Sequence, residues 1–174
     1  MTVRTARAAD AGAVARIANA VIRDTLITFT TDLRQPEDIA RQIAARAPRF
    51  LVAERDGQVV GHATYGPFRT GPGYAHTAEH SIQLDERARG QGLGRALMAR
   101  LEAVARDDGI HVLVAGISGA NAGGIGFHAR LGFAEVGRMP QVGRKAGQWL
   151  DLVLMQKILS PRPQAVPDTA TASG

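Results

Sequence analysis

Gly90, Gly92 and Gly94 alternate through the stretch Arg87-Ala-Arg-Gly-Gln-Gly-Leu-Gly-Arg95, which runs into leucines at 93, 97 and 101. The glycines let the backbone turn tightly and leave its N–H groups uncovered by Cβ atoms. The leucines, spaced i, i+4, i+8, predict a helix with a core-facing stripe. A helix start offers unbonded N–H donors and the positive end of a dipole, and Arg87, Arg89 and Arg95 flank it. The chemistry that follows is anion binding, of a phosphate or pyrophosphate. A P-loop is ruled out, because no Gly-Lys-Ser/Thr closes the loop. A dinucleotide fingerprint fits poorly: the spacing is G-x-G-x-G, and the charged run Asp85–Arg89 separates it from the apolar strand before it. A glycine-rich connector with no ligand is the plainer alternative. Three arginines around three glycines favour the anion.

A second pattern, His76-Thr-Ala-Glu-His80, spells H-x-x-E-H, a zinc-hydrolase motif. Zinc would need both histidines on one helix face and a third ligand. This stretch alternates as a strand does, which sets residues four apart roughly 13 Å from each other. A Gly-Pro-Gly run lies just upstream. No metal is expected.

Composition narrows the setting. A chain of 174 residues with 45% hydrophobic content predicts one packed domain and argues against a disordered protein. No run is long enough for a membrane span, and the N-terminus lacks signal-peptide features, so no membrane partner is expected. The absence of cysteine excludes disulfides and thiolate sites and fits a cytoplasmic location. A net charge of +5, carried almost wholly by arginine, suits an anionic ligand. The arginines are dispersed and no basic run interleaves with aromatics, so nucleic acid is not expected.

The elements that must position these residues are read in chain order. Thr2–Arg7 predicts a first strand. Asp10 is expected to cap a helix carrying Val14, Ile17, Ala18, Val21 and Ile22 on one face. Asp24–Asp32 reads as loop. Pro36, with Glu37 and Asp38, starts a second helix. Phe50–Glu54 and Val59–Tyr65 flank Asp56-Gly57, a hairpin signal. Gly66–Gly73 is a loop, Ala75–Leu84 a strand, and the central helix runs to about Asp108, ended by Gly109. Val112–Ile117 predicts a buried strand, Asn121–Leu131 a helix, and Ala134–Arg138 and Trp149–Gln156 two more strands around a loop at Gln141–Gly147. Residues 1–159 are expected to form the domain, with Ser160–Gly174 a disordered Pro-, Ala- and Thr-rich tail. The order predicts an α/β protein: a mixed sheet with helices on both faces, its strands before and after the central helix side by side.

With the elements in place, the chain resembles the GNAT acetyltransferase superfamily. Arg89-Gly-Gln-Gly-Leu-Gly94 matches that superfamily's Q/R-x-x-G-x-G/A pyrophosphate loop, and Asn121 and Leu131-Gly-Phe133 support it. Ala78-Glu-His-Ser-Ile82, Arg138-Met-Pro-Gln-Val-Gly143 and Gly147-Gln-Trp-Leu-Asp151 look like the phosphinothricin and methionine sulfone/sulfoximine N-acetyltransferases. The match extends to Leu159.

The resemblance implies direct transfer of acetyl from acetyl-CoA to an amine. Ile82, Gln83 and Leu84 would pair with the pantetheine arm, and Arg89, Gly90, Gln91, Gly92, Leu93, Gly94 and Arg95 would hold the pyrophosphate. Asn121 would hydrogen-bond the arm. Glu79 is the implied base that deprotonates the amine, although without the resemblance a solvated strand glutamate is the simpler reading. His128 stands where many relatives carry a tyrosine and would protonate the departing thiolate, or would merely pack between helix and sheet. Arg69, Thr70, Gly71, Glu79, His80 and Ser81 would contact the acceptor, Arg69 through a carboxylate, phosphinate or sulfone oxygen. Phe29 would close the pocket or simply pack. Lys145 would be supplied by a partner in a homodimer, or be a solvated loop lysine. The chain departs from the pattern at Gln83, where an aromatic is usual, at Thr70 and Gly71, and at Gly124 and Gly126. The acceptor is expected to be a small amino-acid-like amine. Acetylation of a protein N-terminus or lysine, and a catalytically silent acetyl-CoA sensor, are the alternatives on the same fold.

Overall fold

The computed structural model describes residues 1–159; the segment expected to be a tail lies outside them. Seven strands form one sheet in the order β1-β2-β3-β4-β5-β7-β6. These are β1 (Thr2–Thr5), β2 (Phe50–Arg55), β3 (Gln58–Pro67), β4 (Thr77–Leu84), β5 (Val112–Ser118), β6 (Ala134–Lys145) and β7 (Gln148–Ile158). The helices are α1 (Ala11–Asp24), α2 (Pro36–Arg46), α3 (Leu93–Asp107) and α4 (Ala122–Arg130). Every strand pair is antiparallel except β4–β5, the two strands joined through α3. That is the crossover the sequence predicts.

Two apolar layers sandwich the sheet. Leu93, Leu97 and Leu101 of α3 pack with Leu51, Ala53, Leu113 and Phe133 on one side. Val14 and Ile17 of α1 and Ile39 and Ile43 of α2 pack with Phe50 and Val52 on the other. Alternate residues of β2 therefore feed different layers, which is why Phe50-Leu-Val-Ala53 reads as a continuous apolar run. The β2–β3 turn has Asp56 and Gly57 at φ 50° and 73°, both in the left-handed region that a two-residue hairpin loop needs.

Asp10 does not cap α1. A short 3₁₀ turn, Ala8–Asp10, precedes the helix, and Asp10 itself has helical φ and ψ with no capping bond from its side chain. Its buried carboxylate instead accepts from both terminal nitrogens of the Arg4 guanidinium, at 2.7 and 2.9 Å, and from the Arg7 N–H at 2.7 Å. A two-pronged charged pair binds the carboxylate more strongly than a helix-end amide would. The hydrogen bond from Arg4 is the main reason its pKa falls below the ordinary aspartate value.

The expected loop at Gln141–Gly147 is also corrected. β6 continues to Lys145, and only Ala146 and Gly147, both at positive φ, form the turn. Pro140 and Gln141 (φ 56°) read as loop. As β6 pairs only with β7, the edge absorbs them as an irregularity between Met139 and Gly143.

Lys145 is thereby neither solvated nor available to a second subunit. It is 7% exposed, and its Nζ donates to Ile22 O at 2.7 Å and Thr28 O at 3.1 Å. Ser118 Oγ donates to Leu26 O at 2.8 Å, and the Phe29 ring fills the space where Gly143 lacks a side chain. Together they tie the α1–α2 connection against β5 and β6. Lys145→Met is expected to lose about 1.5–3 kcal/mol of hydrogen bonding to a charged group. Thermal melting should fall by roughly 3–12 °C, and hydrogen exchange should quicken over residues 26–30. Unchanged protection there would show that Lys145 does not hold this segment.

Candidate active site

β4 and β5 pair from Thr77↔Val112 to His80↔Ala115. Beyond that point β4 stays with β3 as far as Leu84, while β5 stays with β7 as far as Ser118. The two strands splay into a cleft of about 180 Å³, lined by Ser81, Ile82 and Gln83 on one side and Gly116, Ile117 and Asn121 on the other. Ile27 and Thr28 of the tied-down connection cover it. A parallel edge without its neighbour leaves strand amides and carbonyls free, and an extended chain of amides can complete them as an added strand.

The glycine loop lies at the end of β4. A 3₁₀ turn, Glu86–Ala88, capped by Asp85, intervenes; Gly90 and Gly92 then adopt φ 74° and 79°. An ideal Cβ on either would meet nothing within 4 Å, so these glycines open a bare backbone cradle. Gly92 N-caps α3, and Gly92 O accepts from Ala96 N–H, leaving the amides of Leu93, Gly94 and Arg95 without helical acceptors. The side chains of Arg89 and Arg95 are exposed beside them. Gln91 folds back on the loop, donating to Arg87 O at 3.0 Å and accepting from Arg55. Arg87 turns away, with its side chain 93% exposed and 3.8 Å from Asp85. Gly94 serves packing: a Cβ there would sit 3.2 Å from Phe127 and 3.3 Å from Leu84.

Asn121 caps α4, its Oδ1 accepting from Gly124 N–H at 2.9 Å, while its side chain lines the cleft. A Cβ on residue 124 would lie 2.4 Å from the Asn121 amide nitrogen, which accounts for glycine at that position. These features fit coenzyme A: a cradle of free amides for its diphosphate and an open strand edge for its amide-bearing arm.

Glu79 projects from β4 next to Gly116 of β5, whose Cβ position is 2.9 Å from Glu79 Oε1. Among the described residues its carboxylate has no hydrogen-bond or ion-pair partner. Partial burial pushes its pKa above the ordinary glutamate value. An unpaired carboxylate of raised pKa suits a base better than a surface ornament. Ser81 and Gln83 share its face of the strand, while Ala78, His80, Ile82 and Leu84 face α3 and α4.

His80 is thus turned away from Glu79. Its Nδ1 lies 2.9 Å from Val114 O and its Nε2 3.0 Å from His128 Nε2. His128 Nδ1 lies 2.7 Å from Gly124 O. Both Nδ1 atoms face carbonyls and therefore carry protons, so the contact between the rings is satisfied when they share one more. Burial opposes that charge: it pulls His80 down to about 3 and lowers His128 as well. His76, ahead of the strand, contacts Gly109 O instead, so the two histidines of the zinc-like pattern do not converge.

Arg69, Thr70 and Gly71 sit in an exposed loop at the Glu79 end of β3 and β4, Arg69 stacking on Phe68 at 5.3 Å. They line neither the cleft nor a second cavity of about 360 Å³ under α2. That cavity is walled in part by Arg34, Arg46, His62 and Thr64, none of which stood out in the sequence. The available signal was a histidine and a threonine two apart in an apolar strand, hence on one face.

The chain is similar along most of its length to known proteins. The model of the acetyltransferase (GNAT) family matches residues 19–133. The L-amino acid N-acyltransferase MnaT of Escherichia coli strain K12 is 43% identical, over 94% of this chain and 97% of its own length. The L-methionine sulfoximine/L-methionine sulfone acetyltransferase of Salmonella typhimurium strain LT2 is also 43% identical, over 97% and 99%. A Salmonella typhimurium acetyltransferase solved with its cofactor acetyl-CoA superposes with a TM-score of 0.89 at 39% identity, over 97% of this chain and 98% of that one. Cradle, splayed strands and sequence agree, and the chain belongs to the GNAT family of acetyl-CoA-dependent N-acetyltransferases.

Proposed function

We propose that the protein N-acetylates the amine of a small amino-acid-like compound such as methionine sulfoximine, methionine sulfone or phosphinothricin. The observation that carries this reading is the unpaired Glu79 carboxylate beside the cleft where β4 and β5 part. Acetyl-CoA supplies an acetyl thioester, which an amine attacks directly. The glycine loop anchors the diphosphate. The free edge of Ile82–Leu84 orients the arm and polarises the thioester carbonyl through its amides. Glu79 removes the ammonium proton, directly or through water, so that the nitrogen lone pair is available. As the C–N bond forms and the C–S bond breaks, the nitrogen sheds its second proton and the departing thiolate gains one; His128 relays it, the lone pair on its Nε2 taking the proton before passing it to sulfur.

The covered cleft supports a compact acceptor over a protein chain end. Ile27 and Thr28 narrow the cleft, which favours a compact acceptor over an extended peptide. We further infer a homodimer: Val136, Met139, Val142 and Trp149 are between 46% and 59% exposed on the β6–β7 hairpin. A cytoplasmic setting fits a cysteine-free chain, and no helix among the described residues is long and apolar enough to cross a membrane.

The test is a panel of amino-acid analogues and peptides assayed for acetyl-CoA-dependent acetylation. The three oxidised analogues are expected to react. If peptide amines are acetylated and none of the amino acids is, the small-acceptor reading fails. Acetyl-CoA binding with no turnover of any amine would favour the sensor.

A further inference from the structure

The second cavity lies on the α1–α2 face and shares Thr28, Ser81 and Gln83 with the cleft, so the two adjoin at the acceptor side of β4. Two of its wall residues are deeply buried, His62 at 6% and Thr64 at 4% exposure. His62 Nδ1 and Thr64 Oγ1 find no hydrogen-bond partner among the described residues. Buried polar atoms are seldom left this way, and two beside one cavity mark a place built for a polar ligand.

The polarity of the site can be read atom by atom. His62 Nε2 is 3.1 Å from Gln83 Oε1, which places the ring proton on Nε2 and a lone pair on Nδ1. Burial pulls the ring down to about 4, so it is neutral at pH 7 and Nδ1 accepts. Thr64 can donate. Arg46 is half-buried at the end of α2, with its guanidinium carbon 3.8 Å from the Cβ position of Gly66, the residue paired with Glu79. Arg34 stands exposed on the cavity rim. Neither arginine side chain has an acidic partner among the described residues. Oxygen-seeking donors and one bare acceptor thus belong to the wall of a single cavity.

We propose that this cavity receives the oxidised end of the acceptor's side chain, with Arg46 and Thr64 holding its oxygen and His62 accepting a hydrogen bond from an N–H or O–H on it. The inference rests on the amino-acid reading above and makes Arg46, rather than the loop residue Arg69, the main oxygen contact. A sulfoximine, with one oxygen and one N–H on sulfur, matches all three partners. A sulfone, with two oxygens, leaves His62 unmatched. Gln83 sets the histidine tautomer that makes the distinction.

Steady-state kinetics on methionine sulfoximine, methionine sulfone and methionine test it. Arg46→Gln is expected to lower kcat/KM for the two oxidised acceptors about ten- to a hundredfold relative to methionine, with the KM for acetyl-CoA unchanged. His62→Phe, which keeps a ring stacked on Phe50, is expected to abolish any preference for the sulfoximine over the sulfone. An Arg46→Gln variant that treats all three acceptors as the parent does, or Arg69→Ala producing the selective loss instead, overturns the proposal. A parent enzyme that acetylates none of the three sinks the amino-acid reading itself, and that result appears before any variant is made.

Discussion

Glu79→Gln is expected to lower kcat by about 10²–10⁴-fold, the range for loss of a general base, while the affinity for acetyl-CoA stays as it was. The amide keeps the shape of the side chain but cannot accept the ammonium proton. Neither the glycine loop nor the strand edge depends on it for a hydrogen bond. The pH profile adds a second readout. Glu79 must be ionised to act, and partial burial holds its pKa above the ordinary glutamate value. The acidic limb of kcat/KM should therefore fall at higher pH than a free glutamate would give, and should vanish in the variant. Stability should move in the opposite direction from activity. A carboxyl whose folded-state pKa is raised stabilises the fold most below its unfolded value, and that contribution is lost as pH rises through the folded pKa. At neutral pH the charge is therefore a burden, and Glu79→Gln should melt no lower than the parent. A variant that retains full kcat would remove Glu79 from the chemistry, and one that melts well below the parent would reveal a structural role.

Replacing Gly92 by Asp should weaken acetyl-CoA binding by about a hundredfold or more. Two unit charges 4 Å apart repel by about 4 kcal/mol at an effective dielectric of 20, and exposure at the loop trims this. Strain adds to the loss, because Gly92 sits at φ 79°, where a side chain is disfavoured. The fold should survive, since a Cβ at this position meets no atom within 4 Å. Gly92→Ala separates the two causes by keeping the strain and omitting the charge; it should cost far less. Calorimetric titration of both variants with acetyl-CoA reads the difference. Equal affinities in parent and Gly92→Asp would mean that the diphosphate lies elsewhere. Gly94→Ala is a poor probe of the same loop, because its Cβ would press on Phe127 and Leu84 and shift the packing of α3 against α4.

Much of the fold was legible locally. The i, i+4, i+8 leucines of α3, Pro36 at the start of α2 and Asp56-Gly57 in the first hairpin each name their element without help from the rest of the chain. The misreadings occurred where a distant partner outbids a local preference. Asp10 has the residue type of a helix cap, but Arg4 claims its carboxylate. Pro140 and Gln141 have the composition of a loop, yet β6 pairs with β7 on both sides of them and carries them as an irregularity. Lys145 looked like a surface cation and is instead buried against the carbonyls of Ile22 and Thr28, more than a hundred residues away in sequence.

The sequence by itself determined the glycine turn into α3 and the crossover through that helix, because each rests on contiguous residues whose spacing is the signal, and the family showed in the resemblance of motifs spread along the chain. Only the tertiary structure decided what lies around the acceptor. The cleft exists because β4 and β5 stop pairing after His80 and Ala115, and strand pairing is a long-range property that no window of sequence contains. The same holds for side-chain direction and partnership. Among the described residues Glu79 is unpaired, His80 is turned to His128, and His62 and Thr64 help wall a cavity under α2. Burial and hydrogen-bond satisfaction depend on which segments meet, and those meetings are made across the whole chain.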